Sequence, residues 1–184
     1  MPNYYFDIET TGLDSKKDKI ITIQFMELDS FTAKPKGELT ILKEWESSEK
    51  EIIHEFIRQS RITDAYEFSF VSVGYNLGFD HNFILDRARI NKLEMVDILR
   101  RPFIDLRAIG IIMNNGQFKG SGLNKITGKL GVGSMIPELY AKKEYNKIIE
   151  YIKNEAEEFV KLASWVYKKF PPLLTEFKKE HGIM

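Results

Sequence analysis

The chain has 184 residues, of which 43% are apolar and 29% are charged. This composition can bury a sizeable core, which excludes intrinsic disorder and fibrous structure, and the length suits one domain over residues 1–184. Lys and Arg together number 27, and so do Asp and Glu. The balance excludes a uniformly basic nucleic-acid coat, although it is compatible with a local basic groove.

The chain contains no Cys and only three His residues. Disulfides, thiolate metal sites and cysteine nucleophiles are therefore excluded, and a His-rich metal cage is disfavoured. Any bound metal would be held mainly by carboxylates, which favours hard cations such as Mg²⁺ or Mn²⁺. No apolar run reaches the roughly 18–20 residues that span a bilayer, and the first residues lack the features of a signal peptide. We therefore expect no membrane partner and a cytoplasmic location.

Short apolar segments, some of them alternating, predict the strands. The first begins at the N-terminus and is followed by a turn at 10–13 and a polar loop at 14–19. The predicted strands cover residues 4–9, 20–28, 37–45, 68–75 and 102–106. Short connections between the first three favour an antiparallel meander.

After the third strand, apolar residues recur with helical spacing, and the segments begin or end at caps, glycine or proline. The first predicted helix begins at a capping box formed by Ser48 and Glu51. A short helix is predicted from Gly120-Ser121-Gly122 to near Gly131. The other predicted helices cover residues 79–93, 144–170 and 173–181. We expect Pro171-Pro172 to stop the long helix, since proline cannot donate the helical hydrogen bond. This order of elements predicts one mixed-sheet α/β domain.

Asp7 and Glu9 lie two residues apart on the first predicted strand, so both side chains point to the same face. Phe6 and Ile8 flank them on the other face, which indicates an inner strand. Two neighbouring carboxylates on an inner strand repel each other unless a cation lies between them. The alternative interpretation is a strand whose acidic face is exposed to solvent.

Glu155 falls within an apolar stripe on the long predicted helix. The stripe has the spacing of one helix face and consists of Ile148, Ile152, Phe159, Leu162 and Val166. Position 155 completes it with a carboxylate, and Tyr151 lies one turn earlier on the same side. The alternative is that Glu155 reaches water at the edge of the helix.

Asp80 follows the predicted strand over 68–75 and lies at the start of the next predicted helix. Asp is a common N-cap residue, and a capping role is the simpler interpretation of Asp80 alone. The carboxyl ends of strands are, however, the edge where open α/β sheets form their sites. Both interpretations stay open from the residues alone.

Three segments resemble, in the same order, the motifs of the DnaQ-like, or DEDD, 3′–5′ exonucleases. Residues 6–13 (FDIETTGL) resemble the first motif, residues 75–80 (YNLGFD) the second, and residues 149–155 (IEYIKNE) the third in its tyrosine form. The resemblance extends over residues 4–167. The third motif normally ends in Asp, where this chain has Glu155, and position 150 is Glu rather than the His of the family's histidine form.

The resemblance implies a ribonuclease-H-like α/β fold with a mixed five-stranded sheet, three strands antiparallel and then two parallel, flanked by helices. It also implies hydrolysis of phosphodiester bonds by a two-metal-ion mechanism with Mg²⁺ or Mn²⁺. By resemblance, Asp7 bridges both metals, Glu9 and Glu155 complete the site of the metal that activates water, and Asp80 holds the second metal. Tyr151 orients the attacking water.

The resemblance further implies which residues contact the last two nucleotides of the substrate. These are the turn residues and the residues of the second motif, namely Thr10, Thr11, Gly12, Leu13, Asn76 and Phe79. In this interpretation Leu13 is a wedge against a base, a contact that tolerates any sequence. The alternatives are ordinary turn and core roles.

Residues 115–137 contain Lys119, Lys125 and Lys129, several Gly and no acidic residue. Such a segment can follow a phosphate backbone. The preferred interpretation is nevertheless a solvated helix between glycine-rich ends.

These features together predict a metal-dependent 3′–5′ exonuclease that acts on the 3′ end of single-stranded nucleic acid, with DNA favoured over RNA. One alternative is a non-catalytic module of this fold that binds nucleic acid or a replication or repair protein, with Glu155 as a sign of decay. The intact first motif and Tyr151 argue against decay. The other alternative is an RNA-directed exonuclease with the same chemistry.

Overall fold

A mixed five-stranded sheet lies at the centre of the protein, in a computed structural model that describes residues 2–128 and 133–183. The strands are β1 (Asn3–Thr10), β2 (Ile20–Leu28), β3 (Thr40–Lys43), β4 (Val71–Gly74) and β5 (Phe103–Asp105). Their order across the sheet is β3-β2-β1-β4-β5. The first three pair antiparallel, whereas β4 and β5 run parallel to β1, which confirms the predicted topology.

Helices cover both faces of this sheet. They are α1 (Glu49–Ser60), α2 (Leu77–Ile90), α3 (Arg107–Met113), α4 (Leu123–Thr127), α5 (Ile136–Ala141) and α6 (Tyr145–Glu180). The sequence patterns did not predict α3 and α5, which have seven and six residues and are too short to display a helical period. None of the described helices is both long enough and apolar enough to cross a membrane.

One helix start was predicted from a local signal, and one helix ends at a glycine other than the predicted one. The Ser48 side chain accepts a hydrogen bond from the Glu51 backbone N–H at 3.2 Å, which confirms the capping interaction at the start of α1. Helix α4 ends at Gly128, whose φ of 73° lies in the left-handed region that favours glycine. The predicted end near Gly131 lies outside the described residues.

The central strand β1 separates the two layers of the core. Phe6 and Ile8 are buried on the face covered by α1 and α2, where Phe6 packs against Phe56 with ring centroids 5.1 Å apart. Tyr5 points to the other face and packs on Phe159 of α6 at 4.8 Å. Because side chains alternate along a strand, Asp7 and Glu9 share the α6 face with Tyr5.

Two strands are shorter than the sequence predicted. The segment expected to end β3 instead forms a 3-10 turn over Glu44–Glu46, in which Trp45 stacks on Tyr145 at 4.5 Å. The residues before β4 form a turn, in which the Ser69 N–H donates to the Tyr66 carbonyl. In both places, backbone N–H and C=O groups that the apolar pattern had assigned to a strand form hydrogen bonds within a turn instead.

The predicted stop at Pro171-Pro172 is wrong, because α6 continues as one helix to Glu180. The separate helix expected over 173–181 is therefore the distal part of α6. Proline fixes φ near the helical value, so it removes a hydrogen bond to the preceding turn without forcing the chain out of the helix. All residues from Lys168 to Ile183 are exposed, so the continuation extends beyond the part of α6 that packs on the sheet.

A buried ion pair joins the layer formed by α1 and α2 to the sheet. The Glu49 carboxylate accepts two hydrogen bonds from the Arg87 guanidinium, at 2.8 and 2.7 Å. It also accepts from the Ile20 backbone N–H at 2.8 Å and from the Asn91 amide at 3.1 Å. One carboxylate thus connects α1, α2 and the start of β2.

Replacing Glu49 with Ala should destabilise the protein by about 3–5 kcal/mol, because Arg87 would remain buried without its counter-charge. Urea unfolding followed by circular dichroism measures this change. The matched control is Glu55→Ala on the same helix, which removes an ion pair with Arg58 that lies on the surface. We expect the control to unfold close to the wild-type midpoint, and equal midpoints for both variants would contradict a structural role for Glu49.

Candidate active site

Three carboxylates meet at the carboxyl end of β1. Asp7 and Glu9 come from the strand and Glu155 comes from α6, and one oxygen of each lies within 4.8 Å of the others. The buried positions of the α6 stripe hold the helix against the sheet, and this packing directs Glu155 toward β1. Residues separated by about 150 positions in the sequence therefore form one acidic cluster, which we call the carboxylate cluster.

Two neighbouring side chains donate hydrogen bonds to Asp7 of the carboxylate cluster. Its carboxylate accepts hydrogen bonds from the Gln24 amide at 2.7 Å and from the Tyr5 hydroxyl at 3.4 Å. Burial and the nearby charge of Glu155 nevertheless raise the pKa of Asp7 to about 7. Hydrogen bonds from neutral donors therefore offset only part of the cost of holding this negative charge.

Asp80 lies next to the carboxylate cluster, in the first turn of α2. It is 3% exposed, and its carboxylate accepts from the backbone N–H of Ile8 at 3.1 Å. Burial, together with the charge of Asp7, raises the pKa of Asp80 well above its ordinary value. The capping interpretation is wrong, because the N-cap position of α2 belongs to Asn76.

Tyr151 lies one turn before Glu155 on α6, and its hydroxyl forms a hydrogen bond with the Glu155 carboxylate. Burial and the negative charges of Glu155 and Glu9 raise the pKa of Tyr151 above its ordinary value. The hydroxyl therefore stays protonated and acts as a hydrogen-bond donor at the edge of the cluster. A Cβ atom added to Gly133 would lie 3.2 Å from this hydroxyl, so the backbone there passes close to it.

The turn after β1 presents Leu13 to solvent, with 87% of the side chain exposed. The hydroxyl of Thr10 donates to the Gly12 carbonyl at 2.6 Å, and that of Thr11 accepts from the Lys19 N–H at 3.0 Å. Side-chain bonds within the turn therefore hold its shape and leave Leu13 projecting. Gly12 has a structural reason to lack a side chain, since a Cβ atom there would overlap the Asp18 carboxylate.

The second motif is fixed by a carboxylate that was not among the predicted site residues. Asp105, at the end of β5, accepts from the backbone N–H groups of Asn76 at 2.8 Å and Leu77 at 3.0 Å. These bonds hold Asn76 at a φ of 70°, in the left-handed region. Phe79 is half-buried and packs on Phe83, with ring centroids 4.9 Å apart.

A cavity of about 260 Å³ lies beside the carboxylate cluster. Asp7 and Glu155 form one side of it, and Asn76 and Arg107 form another. The Arg107 guanidinium donates to the side-chain oxygen of Asn76. The cavity therefore combines the acidic groups with one cation and one amide.

Sequence analysis did not identify Gln24, Asp105 or Arg107 as parts of the site. The sequence does hold a signal for Gln24, because Thr22 and Gln24 are polar residues at i and i+2 within the otherwise apolar segment 20–26. Asp105 had the position of a strand end, the same signal that identified Asp80. Nothing in the sequence distinguished Arg107 from the other arginines.

The basic segment is only partly described. Lys119 and Lys125 are exposed in and near α4, and Lys129 lies outside the described residues. The short α4 with its glycine end agrees with the solvated helix that the sequence favoured.

The carboxylate cluster has the composition and spacing that fit a hard divalent cation. Two oxygens that bind one ion at ~2.0–2.6 Å can lie up to roughly 5 Å apart, which the 4.8 Å spacing satisfies. The raised pKa of Asp7 is a second indication, because a cation would relieve the repulsion that causes part of it. Asp7, Glu9 and Glu155 could therefore hold a metal with little rearrangement.

A model of the RNase_H_2 family, of the RNase H superfamily, matches residues 4–167. The chain belongs to this family. The ribonuclease-H-like fold inferred from the sequence motifs is thereby confirmed, and the matched range agrees with the extent of the resemblance. Among the curated proteins, no sequence matches this chain.

Solved structures of exonuclease I share the fold. E. coli exonuclease I in complex with a dT13 oligonucleotide is 14% identical, with a TM-score of 0.59 over 95% of this chain and 43% of that chain. The zinc-bound E. coli ExoI–ssDNA complex is also 14% identical, with a TM-score of 0.62 over 95% of this chain and 42% of that chain. An ExoI/SSB-Ct complex is 14% identical, with a TM-score of 0.58 over 95% of this chain and 43% of that chain. The chain thus spans less than half the length of the exonuclease I chains it matches.

Without divalent cations, the raised pKa of Asp7 should make stability depend on pH. In the folded protein the Asp7 carboxyl retains its proton up to about pH 7, whereas in the unfolded chain it releases the proton near the ordinary pKa of 3.8. Asp7 therefore favours the folded state below pH 3.8, and this contribution is lost as the pH rises through about 7. Asp7→Asn should remove the loss and, above pH 7 in EDTA, stabilise the protein by up to roughly 4 kcal/mol, since each pKa unit between 3.8 and about 7 corresponds to ~1.4 kcal/mol.

Calorimetric unfolding at several pH values, with EDTA or with millimolar Mn²⁺, tests this expectation. Mn²⁺ should raise the melting temperature of the wild type and have a much smaller effect on Asp7→Asn. Parallel pH profiles of the two proteins in EDTA would contradict the raised pKa.

Proposed function

We propose that this chain is a metal-dependent 3′–5′ exonuclease that removes nucleotides from single-stranded nucleic acid, with DNA favoured over RNA. The observation that carries the proposal is the carboxylate cluster, with Asp80 beside it, at the carboxyl end of β1. The RNase H superfamily fold and the shared architecture of exonuclease I support a nuclease that acts on nucleic acid.

In this proposal Asp7, Glu9 and Glu155 would hold one Mg²⁺ or Mn²⁺ ion, and Asp7 together with Asp80 would hold a second. When bound, the two ions supply Lewis-acid stabilisation of the attacking and leaving oxygens of a phosphodiester. Gln24 holds the Asp7 carboxylate in position from the neighbouring strand. The hydrogen bond from the Ile8 N–H keeps Asp80 oriented toward the same strand end.

Tyr151 positions the water that attacks the scissile phosphate. Its hydroxyl stays protonated because burial and neighbouring carboxylates raise its pKa, so it can donate a hydrogen bond while its oxygen accepts one. The bond between Tyr151 and Glu155 fixes the ring against the cluster. The role therefore requires the hydroxyl and not the ring alone.

The turn residues Thr10, Thr11, Gly12 and Leu13 hold the terminal nucleotide. The exposure of Leu13 supports its role as a wedge against an unpaired base, since a side chain packed on the sheet could not reach one. Asn76 and Phe79 hold the penultimate nucleotide, the first through its amide beside Arg107 and the second through its half-buried ring.

Single-stranded DNA is the favoured substrate because exonuclease I structures with this fold contain a dT13 oligonucleotide and ssDNA. A protein partner of replication or repair is part of the proposal, since another structure is an ExoI/SSB-Ct complex. The competing function is a non-catalytic module that binds nucleic acid. The site favours the enzyme, because Asp7, Glu9 and Glu155 form one cluster. Asp80 of the second motif lies beside this cluster, and Tyr151 contacts Glu155 within it.

Oligonucleotides labelled at the 5′ end test activity, polarity and substrate together. With Mg²⁺ or Mn²⁺, we expect ladders that shorten from the 3′ end of single-stranded DNA, slower cleavage of RNA, and poor cleavage of blunt duplex ends. Asp7→Ala should abolish the ladder while retaining the native circular dichroism spectrum. Retained binding without cleavage by the wild type, in either metal, would establish the binding module instead, and loss of nucleotides from the 5′ end would contradict the polarity.

Tyr151→Phe should lower the rate by roughly one to three decades, as expected for the loss of one well-placed hydrogen bond. Its metal affinity should persist, because the ligands are unchanged. Glu155→Ala should lose metal binding and rate together. Isothermal titration with Mn²⁺, combined with single-turnover cleavage, separates these two effects.

Glu155→Asp tests the departure from the family's usual residue. Because Tyr151 reaches the longer Glu155 side chain, shortening it by one methylene should slow cleavage or change the relative activity with Mg²⁺ and Mn²⁺. A faster Glu155→Asp enzyme would instead indicate that the position has decayed. Unchanged kinetics in all three variants would contradict the assignment of both residues to the site.

A further inference from the structure

The apolar stripe of α6 continues beyond the part of the helix that packs on the sheet. Val166 is its last buried position, with 7% exposure. One turn later the stripe becomes exposed at Phe170, and it continues through Leu173, Leu174 and Phe177, which are 52%, 57% and 50% exposed. At 100° per residue, these four positions lie on one side of the helix, within an arc of about 100°. We call them the distal stripe.

The distal part of α6 carries a feature that makes an unsupported helix costly. Pro171 and Pro172 lie inside it, and a proline within a helix costs about 3 kcal/mol relative to alanine. A few exposed turns do not compensate for this cost, because most helix stability in proteins comes from packing of an apolar face. Both prolines lie about 100° or more from the middle of the distal stripe, so they leave the apolar side free to pack. A helix here calls for an apolar surface against the stripe.

We propose that the distal stripe pairs with the distal stripe of a second copy of this chain, in an antiparallel helix pair. The positions fit the heptad pattern, with Phe170 and Phe177 at the first core position and Leu173 at the second. Antiparallel packing places Phe170 opposite Leu173 of the other copy, and a two-fold axis repeats this contact. The apolar contact is therefore centred on Phe170, Leu173 and Leu174. Phe177 lies beyond it, because the position opposite Phe177 is Val166, which the sheet already covers.

The charges beside the stripe specify this orientation. Lys169 and Glu176 both occupy the position that precedes the first core residue, on the same edge of the stripe. In the antiparallel register given above, Lys169 of each copy faces Glu176 of the other, which gives two Lys–Glu ion pairs. A parallel pair would instead place Lys169 near Leu174 and Glu176 near His181, with no complementary charge.

A membrane surface is the other surface that an amphipathic helix with lysines can cover. Lys168, Lys178 and Lys179 are compatible with anionic lipid, but Glu176 and Glu180 lie on the edge of the stripe and would meet the same headgroups. Acidic residues at this edge oppose lipid binding, whereas they complement lysine in the helix pair. The charge pattern therefore favours a second copy.

Sedimentation equilibrium of the 184-residue chain, from about 1 to 200 µM, tests the pairing. We expect a monomer–dimer equilibrium with a dissociation constant in the micromolar range, because the contact is short. Lys169→Glu and Glu176→Lys should each weaken dimerisation by roughly tenfold or more, since each replaces two attractive pairs with two repulsive ones. Lys168→Glu is the matched control. It makes the same charge change at a position away from the stripe and should leave the dissociation constant unchanged.

Mixing the two single variants gives the sharpest result. In a heterodimer, each position 169 faces a position 176 of opposite charge, so the mixture should associate more tightly than either variant alone. The double variant Lys169→Glu/Glu176→Lys should likewise regain the wild-type constant, and Leu173→Glu should be monomeric. Circular dichroism confirms that each variant is folded.

A wild-type chain that stays monomeric at every concentration overturns the proposal. A dimer whose dissociation constant is unchanged in both charge variants would also overturn it, as would a mixture of the two variants that associates no more tightly than either alone. In both cases the contact would lie elsewhere. Co-sedimentation of a monomeric wild type with phosphatidylserine vesicles, lost in Leu173→Glu, would assign the stripe to a membrane surface.

Discussion

Repulsion among the carboxylates of Asp7, Glu9 and Glu155 is the constraint around which the rest of the structure is arranged. Oxygens within 4.8 Å of one another, in a partly buried position, raise the free energy of the folded state unless they share protons or a cation. The protein supplies hydrogen-bond donors to Asp7 from Gln24 and Tyr5, yet the pKa of Asp7 is still raised. The remaining electrostatic cost is one that a divalent cation would relieve.

Helix α6 connects the site with the rest of the molecular surface. Its proximal part buries one face on the sheet and carries Tyr151 and Glu155 on the side that faces β1, while Phe6 and Ile8 anchor that strand in the opposite layer. Its distal part continues the same apolar face into solvent, where the sheet no longer covers it. One helical period therefore accounts both for the geometry of the site and for the exposed distal stripe.

The sequence by itself determined the positions of the strands, the first helix cap and the two faces of β1, because these follow from local patterns. Motif order also marked Asp7, Glu9, Asp80, Tyr151 and Glu155 as candidate site residues, since residue type and spacing can be read without knowledge of contacts. Short helices such as α3 and α5 were missed because six or seven residues cannot display a period. The proline stop failed because proline disfavours a helix without excluding helical backbone angles, whereas the local rule treats proline as a definite end.

Only the tertiary structure decided which neighbours restrain the site. Gln24 reaches Asp7 because antiparallel pairing places β2 beside β1, and Asp105 holds the turn before α2 because β5 ends next to β4. The position of Asp80 likewise depended on the tertiary structure, because its partner is the backbone of Ile8, 72 residues away. Contacts of this kind depend on register and packing between distant segments, and a local sequence pattern carries no information about either.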